Sequence, residues 1–197
     1  MQADQPADLL GERDGVAVRV FSEADADALF AAIDGSREHL RPWFSFVDAV
    51  AARDDALAFT RRVQANLREN GRFWAGIWRE RRLCGSVGLT RLDRENRQAE
   101  FGIWLACGDT GRGTASHAVN VLLGFLFGDY GLHRVTAQCA VDNARSIRLM
   151  ERAGFTREGR LRDAEFAGDT PRDLYVYGLL AREWRGGEPW GDATAAA

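Results

Sequence analysis

The turn Gly111-Arg112-Gly113 stands between a strand-like run and a strongly apolar, helix-like run. A glycine-rich turn at that junction presents several unpaired backbone N–H groups at a helix N-terminus, an arrangement that accepts phosphate oxygens. The same glycines also suit a tight turn with no ligand, since both backbone roles call for the same residue. The turn lacks the G-x-G-x-x-G pattern of a dinucleotide fold and the GK[ST] of a P-loop. Farther on, Asn143 and Ser146 lie one helical turn apart, so their side chains share a helix face. Asn143, or Asp142 in competition with it, equally reads as an N-cap.

Composition narrows the chemistry. All 26 basic residues are Arg, so a Schiff-base lysine and the phosphate-binding lysine of a Walker A loop are both excluded. With 29 acidic residues the net charge is −3 and the pI near 5.7, which gives no sign of a nucleic-acid binder. Cys84, Cys107 and Cys139 are odd in number, far apart and without CxxC or nearby His, so neither a structural metal nor a disulfide framework is expected. That cysteine usage fits a reducing cytoplasm. The opening MQADQPADLLGERDG has no signal-peptide pattern, and no apolar run reaches membrane-spanning length, so no membrane association is expected.

The elements that must position these residues follow from periodicity. The first fifteen residues are polar and read as loosely held; Val16 to Phe21 alternates as a strand with one wet face. Ser22-Glu23-Ala24-Asp25 has the form of a capping box, opening a helix that ends near Gly35. The aromatic segment His39 to Phe46 has no clear period and reads as a packed loop or short turns. A helix is predicted over Arg53 to Asn70, stopped by Gly71. Phe73–Trp78 and Leu83–Arg91 form a hairpin across a charged turn, and Ala99 to Ala106 follows as a further strand. After the glycine turn come a helix to Phe127, a strand from His133 to Val141, a helix ending at Gly154-Phe155, and strands near Phe155–Phe166 and Arg172–Leu180. No interdomain linker or repeat is visible. The tail from Arg185 is Gly, Pro and Ala rich and reads as frayed.

Several of these motifs, in this order, resemble the Gcn5-related N-acetyltransferases (GNAT). Thr110-Gly111-Arg112-Gly113-Thr114-Ala115 is similar to that family's acyl-CoA loop, [QR]-x-x-G-x-[GA], with Gly113 and Ala115 in the small positions. Asn143-Ala144-Arg145-Ser146 and Glu151-Arg152-Ala153-Gly154-Phe155 resemble its N-x-x-S…E-[KR]-x-G-F signature. His39 to Trp43, Gly76 to Trp78, Gly85 to Leu89 and Leu161 to Glu165 look like the branch that acetylates ribosomal-protein N-termini at serine or alanine. One departure is Thr110, where the family carries Gln or Arg: a hydroxyl brings no charge, so diphosphate binding leans on backbone N–H groups and Arg112.

The resemblance implies an α+β GNAT domain over residues 1–185 with a flexible tail at 186–197. Its sheet would be mixed, mostly antiparallel and of about seven strands, with helices on both faces. The family's fourth and fifth strands, here Phe101–Ala106 and Val135–Val141, would splay to admit pantetheine. It implies acetyl-CoA as co-substrate, no metal, and an amine acceptor, first of all the α-amine of a ribosomal protein N-terminus. Acetyl-CoA would be held by Trp104 and Leu105 (backbone N–H to the carbonyl), Thr110, Gly111, Arg112, Gly113, Thr114, Ala115, Ser116 and Asn143. Ser146 would protonate the departing thiolate, and Glu165, with Glu100 next in rank, would act as base. Trp43, Phe44 and His39 would line the acceptor side. Relatives often pair as homodimers, although no segment here reads as a self-association surface. Three alternatives stay open: a small-molecule amine such as a polyamine or amino-sugar, a longer donor such as succinyl-CoA, and a non-catalytic acyl-CoA sensor.

Overall fold

The computed structural model describes residues 9–186. Eight strands form one sheet in the order β1-β2-β3-β4-β5-β6-β8-β7, where β1 is Leu9–Arg13, β2 Val16–Val20, β3 Trp74–Arg79, β4 Arg82–Asp93, β5 Gln98–Leu105, β6 Arg134–Ala140, β7 Thr156–Ala167 and β8 Thr170–Leu180. All neighbours pair antiparallel except β5 and β6, which run parallel. The sheet thus has eight strands where sequence periodicity gave seven. The extra one is β1, whose LLGER has too little alternation to read as a strand. It forms because the Asp14-Gly15 turn, with φ of 50° and 73°, folds it back onto β2. The proposed tail at 186–197 lies outside the described residues apart from Gly186.

Helices α1 (Ala26–Asp34), α2 (Arg37–Leu40), α3 (Phe46–Ala49) and α4 (Arg53–Asn70) fill the connection between β2 and β3. Asp25 closes the expected capping motif by accepting from the Ser22 backbone N–H at 2.8 Å and, through two bonds, from Arg19. Ala56, Thr60 and Val63 form the buried stripe of α4, and Gly71 ends it with φ of 78°. Burying a side chain such as Val63 contributes about 1.5–3 kcal/mol. Among the described residues no helix is long and apolar enough to cross a membrane.

Helix α5 (Thr114–Phe127) buries Ala118, Val119, Leu122, Leu123 and Leu126; α6 (Ala144–Arg152) buries only Leu149 and Met150. The aromatic pairs Phe46–Trp104 and Phe59–Trp74 join α3 and α4 to one face of the sheet, while Phe155, just after α6, packs on Phe101 from the other.

Between β5 and β6 the ladder has only three positions: Gln98 with Arg134, Ala99 with Val135, Glu100 with Thr136. Beyond Glu100 and Thr136 the two strands continue to Leu105 and Ala140 without pairing to each other, held by β4 and β8 respectively. The expected splay is present.

Candidate active site

A cleft of about 900 Å³ occupies the splay. It touches Glu100 and Gln138 on one face of the sheet and Cys139 and Ser146 on the other, so it passes through the sheet. One end opens on the glycine turn and the other on the aromatic wall of α2.

The glycine turn is shaped by backbone angles: Gly111 and Gly113 have φ of 77° and 76°. Gly113 is the N-cap of α5, and no side chain caps the helix. The N–H groups of Gly113, Thr114, Ala115 and Ser116 precede the first intrahelical bond, which runs from His117 N–H to Gly113 C=O at 3.0 Å. The Thr114 hydroxyl is buried without a hydrogen-bond partner and borders the cleft. Four open N–H groups, a helix dipole and an orphaned hydroxyl make an anion site. The Thr110 hydroxyl donates to Cys107 C=O at 3.4 Å, while Arg112 is exposed.

Just before the turn, Asp109 is 1% exposed and binds Arg82 of β4 through two hydrogen bonds of 2.7 and 2.6 Å. Arg82 holds the Asp109 carboxyl below the usual carboxylate range, against burial, which pushes it up. The pair neutralises a carboxylate beside an anion site and fixes the chain entering the turn. Ser36, also buried, accepts from Cys107 N–H at 3.1 Å and ties the same segment to the start of α2. Sequence reading passed over both contacts, since partners 27 and 71 residues apart leave no local pattern.

The slot itself is lined by main chain. Ala106 N–H donates to Cys84 C=O at 2.8 Å, and backbone groups alternate along a strand. The N–H of Trp104 therefore also faces β4, whereas those of Leu105 and Ile103 face the gap. Of the two residues read as carbonyl binders, Leu105 has the required direction and Trp104 does not. Instead, the Trp104 indole packs against Phe46 at 6.1 Å, beneath the wall formed by Trp43, Phe44 and His39.

Asn143 is the N-cap of α6: its Oδ1 accepts from Ser146 N–H at 3.1 Å. That cap leaves Asn143 Nδ2 free to donate and holds Ser146 against the slot, beside Cys139. Burial pushes the Cys139 thiol up, so it stays a neutral, packed group. Tyr177 of β8 is fully buried with its hydroxyl pushed up to about 12 by burial first of all; neither it nor Tyr175 borders the cleft.

The two candidate carboxylates differ. Glu100 sits half-buried on the last β5–β6 rung, its oxygens accepting from Thr90 Oγ1 and Gln138 Nε2, each at 2.9 Å. Glu165 lies on an irregular stretch of the edge strand β7, 43% exposed, with Arg172 at 3.9 Å. In sequence Arg172 reads only as one of two ion-pair partners for Glu165, the other being Arg162. Its guanidinium stacks on Trp43 at 5.1 Å and donates to Pro42 C=O at 2.9 Å, bridging the C-terminal hairpin to the aromatic wall.

Residues 16–156 match the family model described as an acetyltransferase (GNAT) domain. The chain is 34% identical over 175 residues to YdaF of Bacillus subtilis (strain 168), a candidate ribosomal N-acetyltransferase, covering 87% of this chain and 94% of that one. It is 33% identical over 121 residues to the ribosomal-protein-serine acetyltransferase of Escherichia coli (strain K12), covering 60% and 68%. The crystal structure of the microcin C7 self-immunity acetyltransferase MccE with acetyl-CoA and AMP superposes with a TM-score of 0.81, at 24% identity over 85% of this chain and 93% of that one. The family match spans the splay, the glycine turn and both helices that flank them. The chain belongs to the GNAT family of N-acetyltransferases.

Proposed function

We propose that this enzyme transfers an acetyl group from acetyl-CoA to the N-terminal α-amine of a ribosomal protein, by direct attack of the amine on the thioester. The observation that carries the reading is the cleft through the sheet, with an anion site at one end and a half-buried carboxylate at the other. The diphosphate lies on the open N–H groups of Gly113 to Ser116, with Gly111, Arg112 and the Thr114 hydroxyl around it. Pantetheine fills the gap beside Asn143, and Leu105 N–H polarises the carbonyl. Glu100 takes the amine proton on one face of the sheet while Ser146 gives its hydroxyl proton to the thiolate on the other.

Glu100 is preferred to Glu165 as base because it is held at the mouth of the slot, whereas Glu165 stands on an exposed edge. The α-amine acceptor draws support from the names of YdaF and the E. coli relative. The acetyl donor draws support from the ligand in the MccE complex.

The test is transfer of radiolabel from [¹⁴C]acetyl-CoA to ribosomal proteins, N-terminal peptides, polyamines and amino-sugars. Label on a ribosomal-protein N-terminus is the expected result; label confined to a polyamine moves the acceptor to small amines, and none at all defeats the reading. In the same assay Glu100→Gln lowers kcat by about 100-fold or more.

A further inference from the structure

Glu100 is gripped from both flanks. On one side β4 carries a bulge: Leu89 pairs with Phe101 and Arg91 with Glu100, so Thr90 is an extra residue set beside Glu100. The Thr90 hydroxyl donates to Glu100 Oε1 at 2.9 Å. On the other side Gln138 lies two residues past Thr136, the last β6 position paired with β5. Its Nε2 reaches back to Glu100 Oε2 at 2.9 Å, and among the described residues this is the hydrogen bond that crosses the gap beyond the final rung. Each carboxylate oxygen is thus tied to a different neighbouring strand.

The two donors are chemically unlike. An amide N–H₂ only donates, whereas a hydroxyl donates or accepts by rotating about its C–O bond. When Glu100 receives a proton, that proton must sit on an oxygen whose partner can turn from donor to acceptor. Oε1, facing Thr90, meets the condition by rotation of a hydroxyl alone, whereas Oε2 meets it only if the whole Gln138 amide turns over to present its oxygen.

We propose that Thr90 and Gln138 are positioning residues for Glu100. Gln138 fixes the carboxylate at a set distance from the slot, and Thr90 directs the transferred proton to Oε1 and keeps its hydrogen bond after transfer. The inference rests on the reading of Glu100 as base, and its test separates the two.

Gln138→Leu and Thr90→Val are expected to lower kcat about tenfold and leave the KM for acetyl-CoA within about twofold. Thr90→Ser, which keeps the hydroxyl, restores kcat. In a Glu100→Gln background neither substitution lowers kcat further; an equal loss in both backgrounds marks a merely structural role and overturns the proposal. A second measurement needs no turnover. In enzyme labelled with [δ-¹³C]Glu, the carboxyl resonance that vanishes in Glu100→Gln shifts in Gln138→Leu and in Thr90→Val. An unmoved resonance overturns the anchoring whatever the kinetics. Full activity in Glu100→Gln defeats the base reading, and with it the proton-directing role, while the resonance still decides whether the carboxylate is held.

Discussion

The two ends of the cleft are built by opposite means. At the glycine turn the grip is main chain, braced by the buried Asp109 on its Arg82 partner and by Ser36, so the end depends little on which side chains face the ligand. At the acceptor end the walls are side chains on peripheral pieces: Trp43 and Phe44 beside the short helix α2, Glu165 on an exposed edge strand, Arg172 reaching across from β8. A donor common to a family suits a rigid backbone cradle, while acceptors that differ suit a rim whose side chains change without disturbing the sheet.

Among substitutions in the scaffolding of the two ends, breaking the brace at the donor end gives the largest expected effect. Arg82→Ala strips a buried carboxylate of its partner, costs about 2–3 kcal/mol in urea denaturation, and raises the KM for acetyl-CoA roughly tenfold. It also changes the acid limb. The folded Asp109 carboxyl lies below its ordinary value of 3.8, held there by the Arg82 hydrogen bonds against burial, so it binds a proton less readily in the folded chain than in the unfolded one. The resulting stability is present above that ordinary value and lost as pH falls through the lower, folded one. A denaturation series from pH 6 to pH 2 on the Arg82→Ala variant therefore lacks this part of the acid loss.

At the acceptor end the effects are smaller and confined to the acceptor. Arg172→Ala removes the bond to Pro42 and the stack on Trp43, and raises the acceptor KM about fivefold with the acetyl-CoA KM unchanged. Should both constants rise together, the two ends are mechanically coupled and the contrast fails. Smallest of all, Glu165→Gln lowers kcat by no more than about threefold, as expected of an exposed, loosely paired carboxylate. A loss matching that of Glu100→Gln would return Glu165 to the role of base.

Much of this contrast was legible in the sequence. The glycine turn, the Asn143–Ser146 pair and the helix from Arg53 to Asn70 are local patterns, fixed by residues a few positions apart. What escaped depends on register. The Thr90 contact needs a bulge, the Gln138 contact needs to know where the β5–β6 ladder ends, and Arg82 meets Asp109 only once β4 lies beside the segment after β5. The direction of the Trp104 N–H was missed for a related reason, because alternation along β5 is anchored by Ala106 on Cys84, outside any motif. Likewise β1 carries too weak a pattern to be seen before its turn folds it onto β2.

With three rungs between β5 and β6, the two parts of the sheet share little backbone hydrogen bonding of their own. A guest threaded through the opening stands in for the missing rungs, since whatever binds only the folded form adds to its stability, by about 2.7 kcal/mol at a hundredfold excess over Kd. Left empty, the opening adds nothing, and the two parts of the sheet are held by those three rungs and by the helices packed across them.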